Sequence, residues 1–381
     1  MQRSERRILT THTGSLIRPG ALTTTEGAAC GPGVVTAPGS ALRAAVDDIV
    51  RAQVALGLDI VNDGEFGKVG WATYILERLS GIEVRQDQLR PLLWLGSDRE
   101  RFAEFFAAEM PLAVTGMPAE VCTGPIAYRD DGSMRRDIDN LVHAAKSTKP
   151  LETFMTVVAP ASTAYNGVNE YYDSEHDYVF AIAAALREEY LAVHRAGIVV
   201  QVDDAVLANM YDTLVRESPA RYREWAELRV EALNYALRDI PPERVRYHIC
   251  FGSWHVPHVA DAPLDAIIDL VLRVNAGAYS LEAANPRHEH EWRVWENERL
   301  PPGKILIPGV VTHHTTTVEH PRLVADRIVR FAKLVGRENV IAGTDCGFAQ
   351  SRHVPRTHPS VMWAKLEALV EGARLATTEL F

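Results

Sequence analysis

Gly57-Leu-Asp-Ile-Val-Asn-Asp-Gly-Glu65 reads as a short apolar strand that ends in a polar, glycine-containing tip. Ahead of it, Leu42, Val46, Ile49, Val50 and Val54 recur with a helical period. Gly57 stands just beyond that stripe, where glycine closes a helix in the left-handed conformation without steric cost. Helix, glycine, strand and polar tip make one unit, and the unit recurs. A helix expected from Tyr178 to about Arg195 stops at Gly197, and the β-branched run Ile198-Val-Val-Gln-Val-Asp203 follows. Nearer the C-terminus, Leu323, Val324, Ile328, Phe331 and Leu334 form a stripe, Gly336 ends it, and Asn339-Val-Ile-Ala-Gly-Thr-Asp345 is the next strand.

Extending this grammar outward gives about eight strand candidates, at residues 8–14, 59–63, 152–158, 198–203, 246–251, 278–282, 304–310 and 339–344. Helical segments separate most of them, which implies a parallel sheet. An open doubly wound sheet usually carries a glycine-rich phosphate loop after its first strand, and no G-x-G-x-x-G is present. The pattern therefore predicts an α/β protein, a single (β/α)8 TIM barrel spanning residues 1–381. Residues 66–150 are too long for one strand-to-helix connection. They are expected to form an insertion after the second strand, with Trp71, Trp94, an acidic and aromatic helix near 98–108 and a hairpin around 112–128.

Composition limits the function. The chain has 381 residues, 47% hydrophobic and 24% charged, within the range of globular proteins. Forty Lys and Arg stand against 50 Asp and Glu, a formal charge of −10. That balance argues against a nucleic-acid or anionic-lipid surface, while leaving room for a local basic pocket. The four cysteines (Cys30, Cys122, Cys250 and Cys346) are too scattered to staple a chain this long, so a reducing cytoplasm is the expected setting. No apolar run reaches the ~18 residues of a membrane helix, and no apolar segment follows the basic N-terminus. A cytoplasmic enzyme acting on small molecules is the expectation, with its oligomeric state open.

In a (β/α)8 barrel the chemistry sits at the carboxyl ends of the strands. Those ends here read Thr13-Gly14-Ser15, Asp63-Gly64-Glu65, Asp203-Asp204, His248-Ile-Cys250, Glu282, His313-His314 and Asp345-Cys346. Residues i and i+2 of a strand point to the same side, so His248 and Cys250 can grip one ion. Cys346 adds a second thiolate and Glu282 a carboxylate. One imidazole, two thiolates and a carboxylate form a donor set that suits tetrahedral Zn²⁺ with an exchangeable oxygen ligand. His255, His258, His288 and His290 read instead as loop residues with local bonds.

In this order, from residue 10 to 348, the motifs resemble the catalytic C-terminal half of cobalamin-independent methionine synthase and its single-barrel relatives. The matching stretches are Thr10-Thr-His-Thr-Gly-Ser15, residues 57–65, Gln201-Val-Asp-Asp204, His248-Ile-Cys250, Glu282, Gly309-Val-Val-Thr-His-His314 and Gly343-Thr-Asp-Cys346. The resemblance implies a zinc-bound substrate thiol that attacks an alkyl donor, with His248, Cys250, Glu282 and Cys346 as ligands. It also implies that Glu65 and Asp203 hold the amino group of homocysteine and that Ser15 meets its carboxylate. His314 matches the proton donor of that family, with His313 as the alternative.

Three departures bear on the alkyl donor. The length has room for the catalytic barrel alone. The hairpin reads Cys122-Thr-Gly-Pro-Ile126 without the family's basic residue. The loop after 152–158 lacks the pterin-stacking tryptophan, leaving Tyr171 or Tyr172 to stack. Methyl transfer to homocysteine or a related thiol is the first expectation. Epoxide opening by a sulfonate thiol, as in epoxyalkane:coenzyme M transferase, is the second, with Arg18, Arg287 or Arg352 available for the sulfonate. A metal-free decarboxylase-type barrel or a non-catalytic zinc protein completes the set.

Overall fold

The computed structural model of the chain describes residues 1–23, 39–165 and 167–381, so Cys30 lies outside the described residues. Eight parallel strands form its centre: β1 (Leu9–Thr10), β2 (Ile60–Val61), β3 (Glu152–Val158), β4 (Val199–Asp204), β5 (Val245–Ile249), β6 (Ala278–Leu281), β7 (Ile305–Val311) and β8 (Ile341–Thr344). They pair in the order β1-β8-β7-β6-β5-β4-β3-β2, which is the winding of successive strand–helix units into a barrel. The wall is nearly closed. At the seam between β1 and β2 the Asp59 N–H donates to Thr10 O (3.2 Å), and the Thr11 hydroxyl donates to Ile60 O (3.0 Å).

Each strand candidate is found, although β1 and β2 keep only two paired residues each. The reason is visible after β2. Asn62 Oδ1 accepts the Gly64 N–H (2.8 Å) and Asp63 Oδ1 accepts the Glu65 N–H (3.0 Å), so side chains turn the backbone out of the ladder at once. The strands alternate with α1 (Gly39–Leu56), α2 (Ser133–Thr148), α3 (Glu175–Arg195), α4 (Pro219–Leu237), α5 (Leu264–Leu272), α6 (Val294–Asn297), α7 (Pro321–Val335) and α8 (Pro359–Leu380). On α1 the predicted stripe is buried at Leu42, Val46, Ile49 and Val50, and Gly57 ends the helix with φ 103°. The principal core lies between the strands and these helices, while Leu9, Ile60, Phe154, Val199, Ile305 and Ile341 belong to a second apolar cluster.

The connection from β2 to α2 departs from the sequence reading. The segment Met117–Cys122 is a strand, but its antiparallel partner is Ile82–Arg90, not a neighbour within 112–128. Pro111–Thr115, where the first arm of that hairpin was expected, is a helical turn with proline in its first turn. The aromatic helix near 98–108 is two short helices, Gly96–Arg101 and Ala103–Glu109. A third strand, Gly167–Asn169 from the β3–α3 loop, runs parallel to Met117–Cys122. The last part of the 66–150 span is α2 itself, which packs on α1 as a barrel helix. Among the described residues no helix is long and apolar enough to cross a membrane.

Candidate active site

The carboxyl ends of β1, β2, β4, β5 and β8 open into one pocket lined by Thr13, Ser15, Glu65, Asp203, His248, Cys250 and Cys346. Strand alternation explains the donors. His248 and Cys250 stand two residues apart at the end of β5, and Cys346 follows β8 from across the sheet. The donor atoms of His248, Cys250 and Cys346 all lie within 4.8 Å of one another. The two sulfurs are 3.6 Å apart; the ring nitrogens of the buried His248 meet no oxygen or nitrogen, and their polar neighbour is the Cys346 sulfur. A buried imidazole with only a weakly bonding thiol beside it is costly, and a metal ion would satisfy it. The hydrogen bond between the sulfurs raises Cys250 and pulls the Cys346 thiol well below the ordinary cysteine range. Burial opposes a proton on His248, but Cys346, Asp203 and Glu282 together outweigh it and raise the imidazole.

Glu282, the expected fourth ligand, ends β6 outside this group of three. Its Oε1 accepts the Phe251 N–H (3.0 Å) and its Oε2 accepts Asn285 Nδ2 (2.8 Å). Burial, reinforced by Asp345, pushes this carboxyl up to about 8. Asp345 is fully committed elsewhere: it accepts the N–H groups of Ala283, Ala284 and Asn285 (2.8, 2.8 and 2.9 Å). It fixes the loop that carries Glu282.

The acids face the donors from the other side. Glu65 is buried and has φ 61°, a left-handed conformation unusual for a residue with a side chain. Arg18 clamps it by donating to the carbonyls of Glu65 (2.6 Å) and Lys68 (2.9 Å). Gly14 leaves space for its carboxylate, because a Cβ there would meet Glu65 Oε1 at 2.7 Å. Asp203 accepts Gln201 Nε2 (2.8 Å), which also donates to Thr13 O. Burial, with the Glu65 charge adding and His248 opposing, pushes Asp203 up to about 7. Asp204 is structural, bonded to Ser162 Oγ and Tyr247 OH (2.9 Å each). The Ser15 hydroxyl donates to Ala349 O.

His313 is fully buried and within the field of Cys346; the His314 ring lies 4.6 Å from it and 5.6 Å from His255. Burial lowers His313 well below its ordinary value and His314 to about 4, so both are neutral imidazoles near pH 7. Their loop is held by buried Lys365, which donates to Thr312 Oγ1 (3.1 Å) and Glu319 Oε2 (2.9 Å). His258 and His288 share Asp261 (3.0 and 3.2 Å), the local bonding expected of them.

The aromatic walls were only partly foreseen. Trp71 stacks on Tyr165 (6.3 Å between ring centroids) and Trp94 on Trp254 (5.5 Å), and all four line the pocket. Tyr165, and neither Tyr171 nor Tyr172, reaches it; Tyr172 OH instead accepts the Ile126 N–H (2.9 Å). Arg246, which sequence reasoning passed over, is buried over Phe154 (4.0 Å) and donates to Thr11 Oγ1 and His12 O (3.0 Å each), steadying the β1 end. An arginine inside a strand flanked by apolar residues was the available signal.

The family described as cobalamin-independent synthase, catalytic domain, matches residues 120–366, more than half of the chain. The methionine synthase of Sulfolobus acidocaldarius is 23% identical over 339 residues, covering 88% of this chain and 82% of that one. The 2-hydroxypropyl-CoM lyase of Xanthobacter autotrophicus is 25% identical over 377 residues, covering 89% and 86%. A B12-independent methionine synthase from Shewanella sp. W3-18-1, solved with selenomethionine, superimposes with a TM-score of 0.71 at 21% identity over 98% of this chain and 99% of that one. That likeness is one of fold.

Proposed function

The chain belongs to the cobalamin-independent synthase catalytic-domain family, and from that footing we propose that it is a zinc-dependent thiol S-alkyltransferase, transferring a methyl group to homocysteine or a related thiol. One observation carries the reading: a His–Cys–Cys donor set and an acidic pair, Glu65 and Asp203, share a pocket. Three soft or borderline donors fit zinc, and the ring nitrogens of His248, which meet no oxygen or nitrogen, are the atoms such an ion would complete. His248, Cys250 and Cys346 would hold it, with Glu282 as the exchangeable fourth donor. When bound, zinc lowers the pKa of a substrate thiol enough to give thiolate at neutral pH.

The remaining work falls to the chain. Glu65 and Asp203 bind the ammonium of an amino-acid thiol and so aim its sulfur at the donor cluster. Ser15 stands at the carboxylate end. The stacked pairs Trp71–Tyr165 and Trp94–Trp254 wall the pocket and limit water. His314, with His313 as the alternative, relays a proton to the leaving group: because both rings are neutral near pH 7, the ring takes up a proton on one nitrogen as it releases one from the other. The second reading, epoxide opening by a sulfonate thiol, has Arg18 as its candidate, with Nη2 engaged on two carbonyls and Nε and Nη1 without acceptors, whereas Arg287 is exposed and bonded to Val259 O. Arg352 lines a neighbouring cavity.

Zinc stoichiometry and zinc–sulfur coordination by X-ray absorption test the proposal. Protein purified without chelator is expected to carry about one zinc, and homocysteine is expected to add one sulfur to its shell. Cys250→Ser should lose the metal, and Glu282→Gln should lose less, because the carboxylate has its own partners at Phe251 and Asn285. Zinc content near zero in the wild type would sink the reading.

A further inference from the structure

After β8 the chain forms a small hairpin, Ala349–Ser351 with Val354–Pro355, and Arg356 follows it. The Arg356 N–H donates to Phe348 O (2.8 Å), which brings the residue back beside Cys346. Its side chain is 5% exposed and its guanidinium lies 5.3 Å from the centre of the Trp254 ring. Nε and Nη2 are buried and meet no acceptor. The charges acting on it are the thiols of Cys346 and Cys250, and no carboxylate among the described residues pairs with it. His255 and His314 lie within its field as well.

Arg78 is buried between Glu189 (3.0 Å) and Asp137 (3.2 Å), and Arg18 and Arg246 are buried with donors on carbonyl or hydroxyl oxygens. Arg356 has no such arrangement. The cysteine sulfurs act on its charge, but Nε and Nη2 make no hydrogen bond to either, and buried donors without acceptors are destabilising. The indole face, two imidazoles that burial keeps neutral and a guanidinium with free N–H groups make a corner suited to a planar or tetrahedral oxyanion.

We propose that Arg356 anchors an oxyanion subsite beside the His248–Cys250–Cys346 cluster, taking a carboxylate, sulfonate or phosphate group of a substrate. In placing that group on a reactant, the proposal rests on the thiol-alkylation reading; binding of the oxyanion itself does not depend on it. The oxyanion belongs either to the thiol or to the alkyl donor, and the two sources separate in a binding experiment on zinc-loaded protein. Calorimetric titration with methanesulfonate is expected to show saturable binding in the wild type. Arg356→Met should weaken it at least roughly tenfold, and Arg356→Lys, which keeps the charge but loses the fork, should fall between.

With the oxyanion on the thiol, Arg356→Met weakens 2-mercaptoethanesulfonate by a similar factor, leaves 2-mercaptoethanol unchanged, and mercaptoethanesulfonate displaces methanesulfonate. With the oxyanion on the donor, homocysteine-loaded protein still takes up methanesulfonate, and the Arg356→Met protein does not. Equal methanesulfonate affinity in the wild type and both variants overturns the proposal. So does loss of zinc from folded Arg356→Met protein, which would make the arginine a counter-charge for the thiolates. Absence of thiol binding with methanesulfonate binding intact counts against alkyl transfer alone.

Discussion

At residue 14 only a hydrogen fits: a Cβ would lie 2.6 Å from Thr156 Cγ2 and 2.7 Å from Glu65 Oε1, on a backbone with φ 141°. Gly14→Ala should therefore displace the Glu65 carboxylate and weaken homocysteine binding roughly tenfold or more, about 1.4 kcal/mol per factor of ten. Titration calorimetry checks this, and an unchanged Kd would refute the fit. Asp203 gives a pH signature. Its carboxyl titrates near pH 7 because burial disfavours the charge, and only the ionised form attracts an ammonium. Thiol affinity in the wild type should rise as pH climbs through about 7. Asp203→Asn should flatten that rise for an amino thiol and leave 2-mercaptoethanol untouched; identical profiles for the two thiols would contradict the assignment. At this scale the donors were legible because strand ends advertise their chemistry: His248, Cys250 and Cys346 follow apolar runs that read as strands without help from tertiary structure. Arg356 and Trp254 were not, because each lies in irregular chain whose path to the donors depends on a hairpin and on the insertion.

Among the elements, the insertion is joined to the barrel by one buried charge cluster. Arg78 ends the helical turn Thr73–Arg78 and reaches Glu189 of α3 and Asp137 of α2, while Tyr74 OH and Tyr128 OH also meet Glu189 (2.7 and 3.2 Å). Replacing one partner of a buried pair strands the other charges. Arg78→Met is expected to cost about 3–5 kcal/mol in urea unfolding, and to loosen the segment that carries Trp71. A loss below roughly 1 kcal/mol would show that the cluster is dispensable. Helices and strands of the barrel were readable from periods of 3.6 and 2 because each buries one face against a neighbour in the same unit. The insertion hairpin was misplaced because the strand Met117–Cys122 pairs with Ile82–Arg90 across intervening short helices, a register that local pattern does not encode.

For the whole molecule, the donors come from β5 and β8, so an ion bound there ties together two parts of the barrel wall. Adding zinc to chelator-stripped protein should raise the apparent stability by RT ln(1 + [Zn²⁺]/Kd), about 4 kcal/mol at a thousandfold excess over Kd. Differential scanning calorimetry would show the higher Tm in wild type and none in Cys250→Ser. A shift of equal size in the variant would place the binding elsewhere. The stripped protein should stay folded, because its core extends over all eight strands and the helices around them, unlike small domains that fold only on metal.

The near-open seam between β1 and β2 lies directly beneath one side of the pocket. Ser15 and Glu65 stand on its two banks, and the Leu16 N–H donates to Gly64 O (3.1 Å) across it. A wall held there by scattered bonds and not by a continuous ladder yields more readily than the paired strands that carry His248 and Cys250. A small slide of one bank against the other therefore changes the width of the pocket at Ser15 and Glu65 while the opposite wall keeps its shape.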